Sequence, residues 1–144
     1  DWDNDGDLDI ISGGCSGNLM YYENIAGKGN PPQFKAGIYL RDDTNERFFV
    51  NAVKAGGTVQ GMEEQYWGYL TVVPADVDYD GDLDLIIADC LGKVRWIENI
   101  GNKSNPKLSR KIHDFIVDGK PLITPWRNRP GVADWNKDGR LELI

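Results

Sequence analysis

The chain has 144 residues, 40% hydrophobic and 10% aromatic, and 23 acidic against 16 basic side chains give it a formal net charge of −7. That composition supports one modest buried core and excludes a disordered tail. No apolar run approaches the roughly 20 residues that cross a bilayer as a helix, and no basic stripe or aromatic-interleaved basic run offers a surface to nucleic acid. No signal segment is seen at the amino terminus, which carries no weight for a chain expected to be part of a longer one.

The first element is the acidic loop DWDNDGDLD, with Asp1, Asp3, Asp5, Asp7 and Asp9 spaced around Gly6. The run LDIISGG reads as a strand, a Gly-containing turn follows at Cys15, Ser16 and Gly17, and NLMYYEN reads as its hairpin partner. Asn30-Pro31 breaks the chain, and FKAGIYL supplies an outer strand. The stretch from Arg41 to Tyr66 has no clear counterpart elsewhere and reads as an insertion. YWGYLTVV then leads into a second acidic loop, DVDYDGDLD, which carries Asp76, Asp78, Asp80, Asp82 and Asp84 around Gly81.

From here the pattern repeats. Sliding the sequence by 75 residues lays 1–31 on 76–106 without a gap, with 16 of 31 positions identical. LDLIIAD, KVRWIEN and LSRKIHDFIV therefore read as three further strands, with Cys90 matching Cys15 and Glu98-Asn99 matching Glu23-Asn24. A third loop, DWNKDGRLE, starts 58 residues after the second and offers Asp134, Asn136, Asp138, Arg140 and Glu142. The expected organisation is repeat 1 over 1–75 with an insertion at about 41–66, repeat 2 over 76–133, and the start of repeat 3 over 134–144. Four strands per unit, polar turns and no helical periodicity point to an all-β chain of β-propeller blades, part of a six- to eight-bladed propeller. In each blade the acidic loop joins the innermost strand to the second. The cysteine turn joins the second to the third, and the Asn-Pro segment joins the third to the outermost. The acidic loops and the insertion then lie on opposite faces.

The loops hold 13 of the 23 acidic residues, so the rest of the chain is basic. Hard oxygen ligands with no His or Cys nearby select calcium over zinc or copper. Positions one, three, five and nine of each loop (Asp1, Asp3, Asp5, Asp9; Asp76, Asp78, Asp80, Asp84; Asp134, Asn136, Asp138, Glu142) are the expected side-chain ligands. Position seven (Asp7, Asp82, Arg140) contributes its backbone carbonyl. An EF-hand starts with the same spacing but needs a Glu at position twelve, where Ser12 and Ile87 stand, and needs flanking helices where strands are read.

The D-x-D-x-D-G-x-L-D loop, followed by a strand, a Gly turn and WIENIGNKSNP, resembles the VCBS and FG-GAP-like repeats of integrin-type calcium-binding β-propellers. The resemblance is strongest over 1–34 and 67–108; the literal Phe-Gly and Gly-Ala-Pro signatures are absent, with VVPAD and PGVAD in place of the latter. It implies a secreted, periplasmic or cell-surface setting and a scaffold for binding a glycan or an extracellular protein. An alternative is part of the catalytic propeller of a polysaccharide lyase acting on uronate-containing glycans, with Arg127, Arg129 and Lys93 neutralising the substrate. No nucleophile, acid–base pair or oxyanion hole is visible in the residues themselves.

Other residues have simpler expected roles. Cys15 and Cys90 are expected as buried thiols without a mutual disulfide, because equal positions in neighbouring blades lie too far apart. Trp67, Trp96 and Trp126 read as packing between blades in preference to sugar platforms, and Trp2 and Trp135 as covers over the metal sites. His113 is placed on an outer strand, and the Glu-Asn pairs read as structural hydrogen bonders.

Overall fold

The runs read as strands pair into antiparallel sheets, and no helix occurs among the described residues, so none there is long and apolar enough to cross a membrane. The computed structural model describes residues 1–50, 68–125 and 128–144, with the backbone alone at 53–54 and 66–67. Trp67 and Trp126 side chains, Arg127 and most of the Arg41 to Tyr66 insertion, including Glu63 and Glu64, lie outside the described residues.

The first sheet has the order β1 (Ile10–Gly13), β2 (Leu19–Tyr22), β3 (Ile38–Tyr39). Two short strands, β4 (Val53–Lys54) and β5 (Tyr66–Trp67), pair with each other. The second sheet is a four-stranded meander: β6 (Thr71–Ala75), β7 (Asp84–Ala88), β8 (Val94–Asn99) and β9 (Leu108–Asp114). Two hairpins complete the set, β10 (Ile116–Val117) with β11 (Lys120–Pro121), and β12 (Val132–Ala133) with β13 (Glu142–Leu143).

The duplication seen in the sequence is also a duplication of pairing. Tyr21 faces Ile38 as Trp96 faces His113, 75 residues on. Asn24 bridges Phe34 as Asn99 bridges Leu108, one residue closer because β9 follows a register shift between Ile97 and Asn99. The match runs past Arg41. Phe48 N–H donates to Leu40 as Leu122 N–H donates to Phe115, and Val50 N–H donates to Gly17 as Thr124 N–H donates to Gly92. Residues 41–50 therefore have counterparts in 116–124.

The four-stranded sheet is packed on both faces. On one side Leu85, Ile87, Ile97 and Leu108 meet Trp2, Leu19, Tyr21, Phe48 and Leu70 of the first unit. On the other, Ile86, Ala88 and Val94 meet Val132 and Leu143 of the β12–β13 hairpin. β7 is buried at all five positions, which explains why its sequence is a nearly continuous apolar run where a one-sided strand would alternate. Each aliphatic side chain buried in this way contributes roughly 1.5–3 kcal/mol relative to its exposed state. Among the described residues the first strand of the repeat, β1, pairs only with β2, and it alternates between exposed and half-buried.

Three expectations need correcting. The outer run LSRKIHDFIV is not one strand: it ends at Asp114, and Ile116–Val117 turns back on Lys120–Pro121 through Asp118-Gly119 (φ 52° and 75°), a two-residue hairpin turn with both residues left-handed. Trp2 covers no loop; it is 5% exposed and sits in the core between the first two sheets, while Trp135 stands 76% exposed. Neither cysteine forms a disulfide, but only Cys90 is buried and Cys15 is exposed. His113 lies on β9 as expected, stacked on Trp96 with ring centroids 4.5 Å apart and its Nε2 3.5 Å from Glu98 Oε2.

Candidate cation-binding loops

Each acidic loop has the same backbone. Position four is left-handed in all three (Asn4 φ 61°, Tyr79 φ 63°, Lys137 φ 61°), and so is the glycine at position six (Gly6 φ 96°, Gly81 φ 99°, Gly139 φ 88°). Glycine adopts that conformation without strain, whereas position four pays for it, an expense that only the surrounding contacts offset. Those contacts are carboxylates turned inward to cap the loop's own amides. Asp5 N–H donates to Asp3, Gly6 N–H to Asp1 and Asp7 N–H to Asp5. Asp80 N–H donates to Asp78 and Asp82 N–H to Asp80, while in the third loop Asp138 N–H donates to Asp134 and Asn136, Gly139 N–H to Asp134, and Arg140 N–H to Asp138.

Position nine ties each loop to its strands. Asp84 accepts the Val77 amide at 3.0 Å through one oxygen and the Asn99 amide at 2.8 Å through the other. Asp9 accepts from Trp2 at 2.9 Å and Asn24 at 2.8 Å in the same way, and Glu142 accepts from Trp135 at 2.6 Å. The Asn that follows is itself a bracket: Asn99 Oδ1 accepts the amides of Gly101 and Lys107, and Asn24 Oδ1 those of Ala26 and Gln33. This bears out the structural reading of the Glu-Asn pairs; Glu23 meets Lys35 at 2.6 Å.

In the first loop Asp1, Asp3 and Asp5 bring one carboxylate oxygen each within 4.8 Å of one another, and in the second Asp76, Asp78 and Asp84 do the same. Asp9 and Asp80 stand outside these two groups, and Asp134, Asp138 and Glu142 form no such group. The third loop is also partly neutralised, because Arg140 Nη2 lies 3.0 Å from Asp138 Oδ2 and holds the Asp138 carboxyl below the usual carboxylate range.

The side chains at position seven were not singled out in the sequence, yet both are buried, Asp7 5% and Asp82 7% exposed. Asp7 accepts the Gly27 amide at 2.5 Å. In the second loop the Oδ1 atoms of Asp76 and Asp82 are buried with no hydrogen-bond partner. Burial, reinforced by Asp80, Asp78 and Asp76, pushes the Asp82 carboxyl up. Burial likewise pushes Asp84 up to about 6, against the pull of its two amide donors. A second missed residue is Tyr21, whose hydroxyl donates to Asp3 at 3.2 Å. Burial and the charges of Asp9 and Asp3 push that phenol far above its ordinary value, so it stays a neutral donor. An inward aromatic at position 21 is visible in the strand alternation, but its reach to the loop is not.

The acidic loop between β6 and β7 shares one end of the sheet with the β8–β9 connection, whose Lys103 lies against Gly81. Neighbouring units also touch at this end: Asn4 Nδ2 reaches Ser104 Oγ at 3.5 Å, and Leu141 N–H donates to the Tyr79 hydroxyl at 2.7 Å. The flanks of the insertion are at the opposite end, where Val50 N–H donates to Gly17 and Gly68 N–H to Cys15. Of the cations considered for a uronate, Arg129 lines a cavity of about 290 Å³ with Cys15, Tyr69 and Asn128; Lys93 is not among its walls, and Arg127 lies outside the described residues.

Residues 76–144, which hold the second and third loops, match the model of the FG-GAP-like repeat family, and this stretch carries that repeat. No curated protein and no solved structure matches the chain.

Proposed function

We propose that this chain is a calcium-binding β-propeller repeat segment that serves as a scaffold for carbohydrate or protein binding in a secreted, periplasmic or cell-surface protein. The observation that carries it is the second loop: three carboxylate oxygens within 4.8 Å of one another, two buried carboxylate oxygens with no hydrogen-bond partner, and Asp82 and Asp84 destabilised as anions by burial and by the charges of neighbouring aspartates in the loop. A divalent cation removes all three costs at once. All-oxygen ligation on a flexible loop favours calcium over magnesium, which demands a tighter octahedron.

The proposed ligands are Asp76, Asp78, Asp80, Asp84 and the Asp82 carbonyl, with Asp1, Asp3, Asp5, Asp9 and the Asp7 carbonyl in the first loop. Asp134, Asn136, Asp138, Glu142 and the Arg140 carbonyl form a weaker third set, because it has fewer carboxylates and carries an internal guanidinium. FG-GAP-like repeats often bind calcium and typically occur in extracellular or surface proteins, which supports the assignment. The proposed repeat boundaries, read from the sequence, are 1–75, 76–133 and 134–144; the sheets themselves take β6 into the second unit and β12 into the third, and nearly all the extra residues of the first unit fall after Val50. What supports a scaffold role is the arrangement: the acidic loops lie at one end of the sheets, and the other end carries the longest connection, where binding residues are commonly placed.

Isothermal titration of metal-free protein with calcium and with magnesium tests the central claim. Calcium binding with a stoichiometry of two or three per chain supports it, and no heat beyond dilution overturns it.

A further inference from the structure

The amides at the tip of the third loop are capped from two directions. Those of Asp138, Gly139 and Arg140 donate to Asp134, Asn136 and Asp138, side chains of the loop itself. The next, Leu141, donates to the Tyr79 hydroxyl of the second loop at 2.7 Å. Tyr79 is position four of its loop, between Asp78 and Asp80, and Leu141 is position eight of its own, between Arg140 and Glu142. One hydrogen bond thus joins two loops at points flanked on both sides by proposed ligands.

The Leu141 N–H and the Arg140 carbonyl belong to one planar trans peptide, so the carbonyl points away from the bonded N–H. Anchoring the N–H on Tyr79 therefore sets the direction of that carbonyl, and the same hydrogen bond polarises the peptide and leaves more negative charge on its oxygen. Both effects serve a loop whose own donor set is poor: Asn136 stands where the other two loops have aspartate, and the Arg140 guanidinium lies 3.0 Å from Asp138. Tyr79 itself has a left-handed backbone, φ 63°, which a residue with a Cβ keeps only where the surrounding structure imposes it. The order of the second loop thus governs where the hydroxyl stands.

The first loop is joined differently. Asn4 occupies the repeat position of Tyr79, but its short side chain ends 3.5 Å from Ser104 Oγ on the β8–β9 connection. It provides an internal control.

We propose that Tyr79 is a positioning residue that couples the second and third loops, so that calcium held by the second raises the affinity of the third. Ligation by Asp78 and Asp80 fixes the backbone on either side of Tyr79, and a hydroxyl already in place leaves the third loop less to order when it binds. The inference rests on the calcium reading of the loops and adds a dependence between them.

Calcium titration of isotope-labelled chain, followed by nuclear magnetic resonance at the position-six amides of Gly6, Gly81 and Gly139, reads the three loops separately. Tyr79→Phe keeps the ring and removes the hydroxyl at a residue that is 55% exposed, and the dispersion of the same spectra reports the fold of each variant. In Tyr79→Phe the Gly139 midpoint should rise about three- to tenfold, with the Gly6 midpoint unchanged. Asp78→Asn, which weakens the second loop, should raise the Gly139 midpoint severalfold when Tyr79 is present and leave it in place in the Tyr79→Phe background. A Gly139 midpoint indifferent to Tyr79→Phe or to Asp78→Asn overturns the inference. So does an Asp78→Asn shift of equal size in both backgrounds, a Gly6 midpoint that rises as much as that of Gly139, or a Gly139 signal that stays still while Gly81 moves. In each of these cases calcium binding itself stands. If none of the three glycine signals moves, the loops are not calcium sites and both readings fall.

Discussion

Thr124 lies over Gly92 at the narrow turn of the second unit: its amide donates to the Gly92 carbonyl at 2.8 Å, and its own carbonyl occupies the place a Cβ on Gly92 would need. Val50 stands over Gly17 in the same way, and both glycines have a left-handed backbone, φ 80° and 83°. Replacing Gly92 by alanine therefore meets two penalties, strain and collision, whereas Gly29, at φ 84° with open space around it, meets only the first. Gly29→Ala should cost roughly 1 kcal/mol and Gly92→Ala clearly more, on the order of 3 kcal/mol. Urea unfolding of the two variants beside the wild type measures the difference, and equal losses would mean that the turn can open.

Calcium should raise the melting temperature, because it binds the folded loops far better than the unfolded chain. At a hundredfold excess over the dissociation constant the gain is about 2.7 kcal/mol per site. Extracellular sites bind at roughly 0.1–1 mM, so millimolar calcium gives less than that. Asp80→Ala or Asp5→Ala should remove part of the gain and magnesium should reproduce little of it. Scanning calorimetry in calcium, magnesium and chelator reads all of these, and superimposable curves would refute calcium ligation.

Without calcium, the protein should grow more stable on mild acidification, the reverse of ordinary acid denaturation. Asp84 has a folded value of about 6 against an ordinary 3.8, so the folded state holds a proton that the unfolded chain has released. Stability therefore falls as pH rises from 3.8 through 6 and is recovered on the way down. Asp82, also raised, acts in the same direction. Asp42 and Asp138 are lowered, so their contributions do not change above about pH 5. The gain from pH 7 to pH 5 should be roughly 1 kcal/mol in chelator. In saturating calcium it should shrink or change sign as protons compete for the ligands. Melting curves at the two pH values, with and without calcium, provide the check.

Asn99→Ala should leave the Gly101 and Lys107 amides without their acceptor and cost about 1–3 kcal/mol. Asn24→Ala should lose a similar amount through Ala26 and Gln33. Thermal unfolding of both, with calcium absent, separates this bracket from any effect on the ion.

These residues also show what is visible in a sequence and what is not. The strand β7 is legible because both its faces are buried, which leaves an unbroken apolar run between an acidic loop and a turn. The loop itself is legible because the left-handed position six demands glycine at regular distance from the carboxylates. Trp2 is not, since residues adjacent to a polar loop are read as its cover, and only the arrangement of sheets shows that this side chain turns into the space between units. The burial difference between Cys15 and Cys90 is hidden for the same reason: the same repeat position before a matching glycine turn, with different surroundings in the two units. The Asp118-Gly119 hairpin has a plain local signature that was overridden by the length of the apolar run beside it. The position-seven carboxylates hide in an acidic run where alternate residues look alike, and burial alone sets Asp7 and Asp82 apart.

The central place of β7 has a consequence for how the molecule breathes. Its neighbours in the sheet cover both backbone edges, β6 on one side and β8 on the other, and side chains from two other units cover both faces. An amide there can meet solvent only if the units part, so Leu85 to Ala88 should be the slowest positions in the chain to exchange hydrogen for deuterium. Protection should then decline outward in both directions, toward β1, which among the described residues has a strand partner on one edge alone, and toward the short pair β12 and β13. The molecule loosens from its two flanks inward.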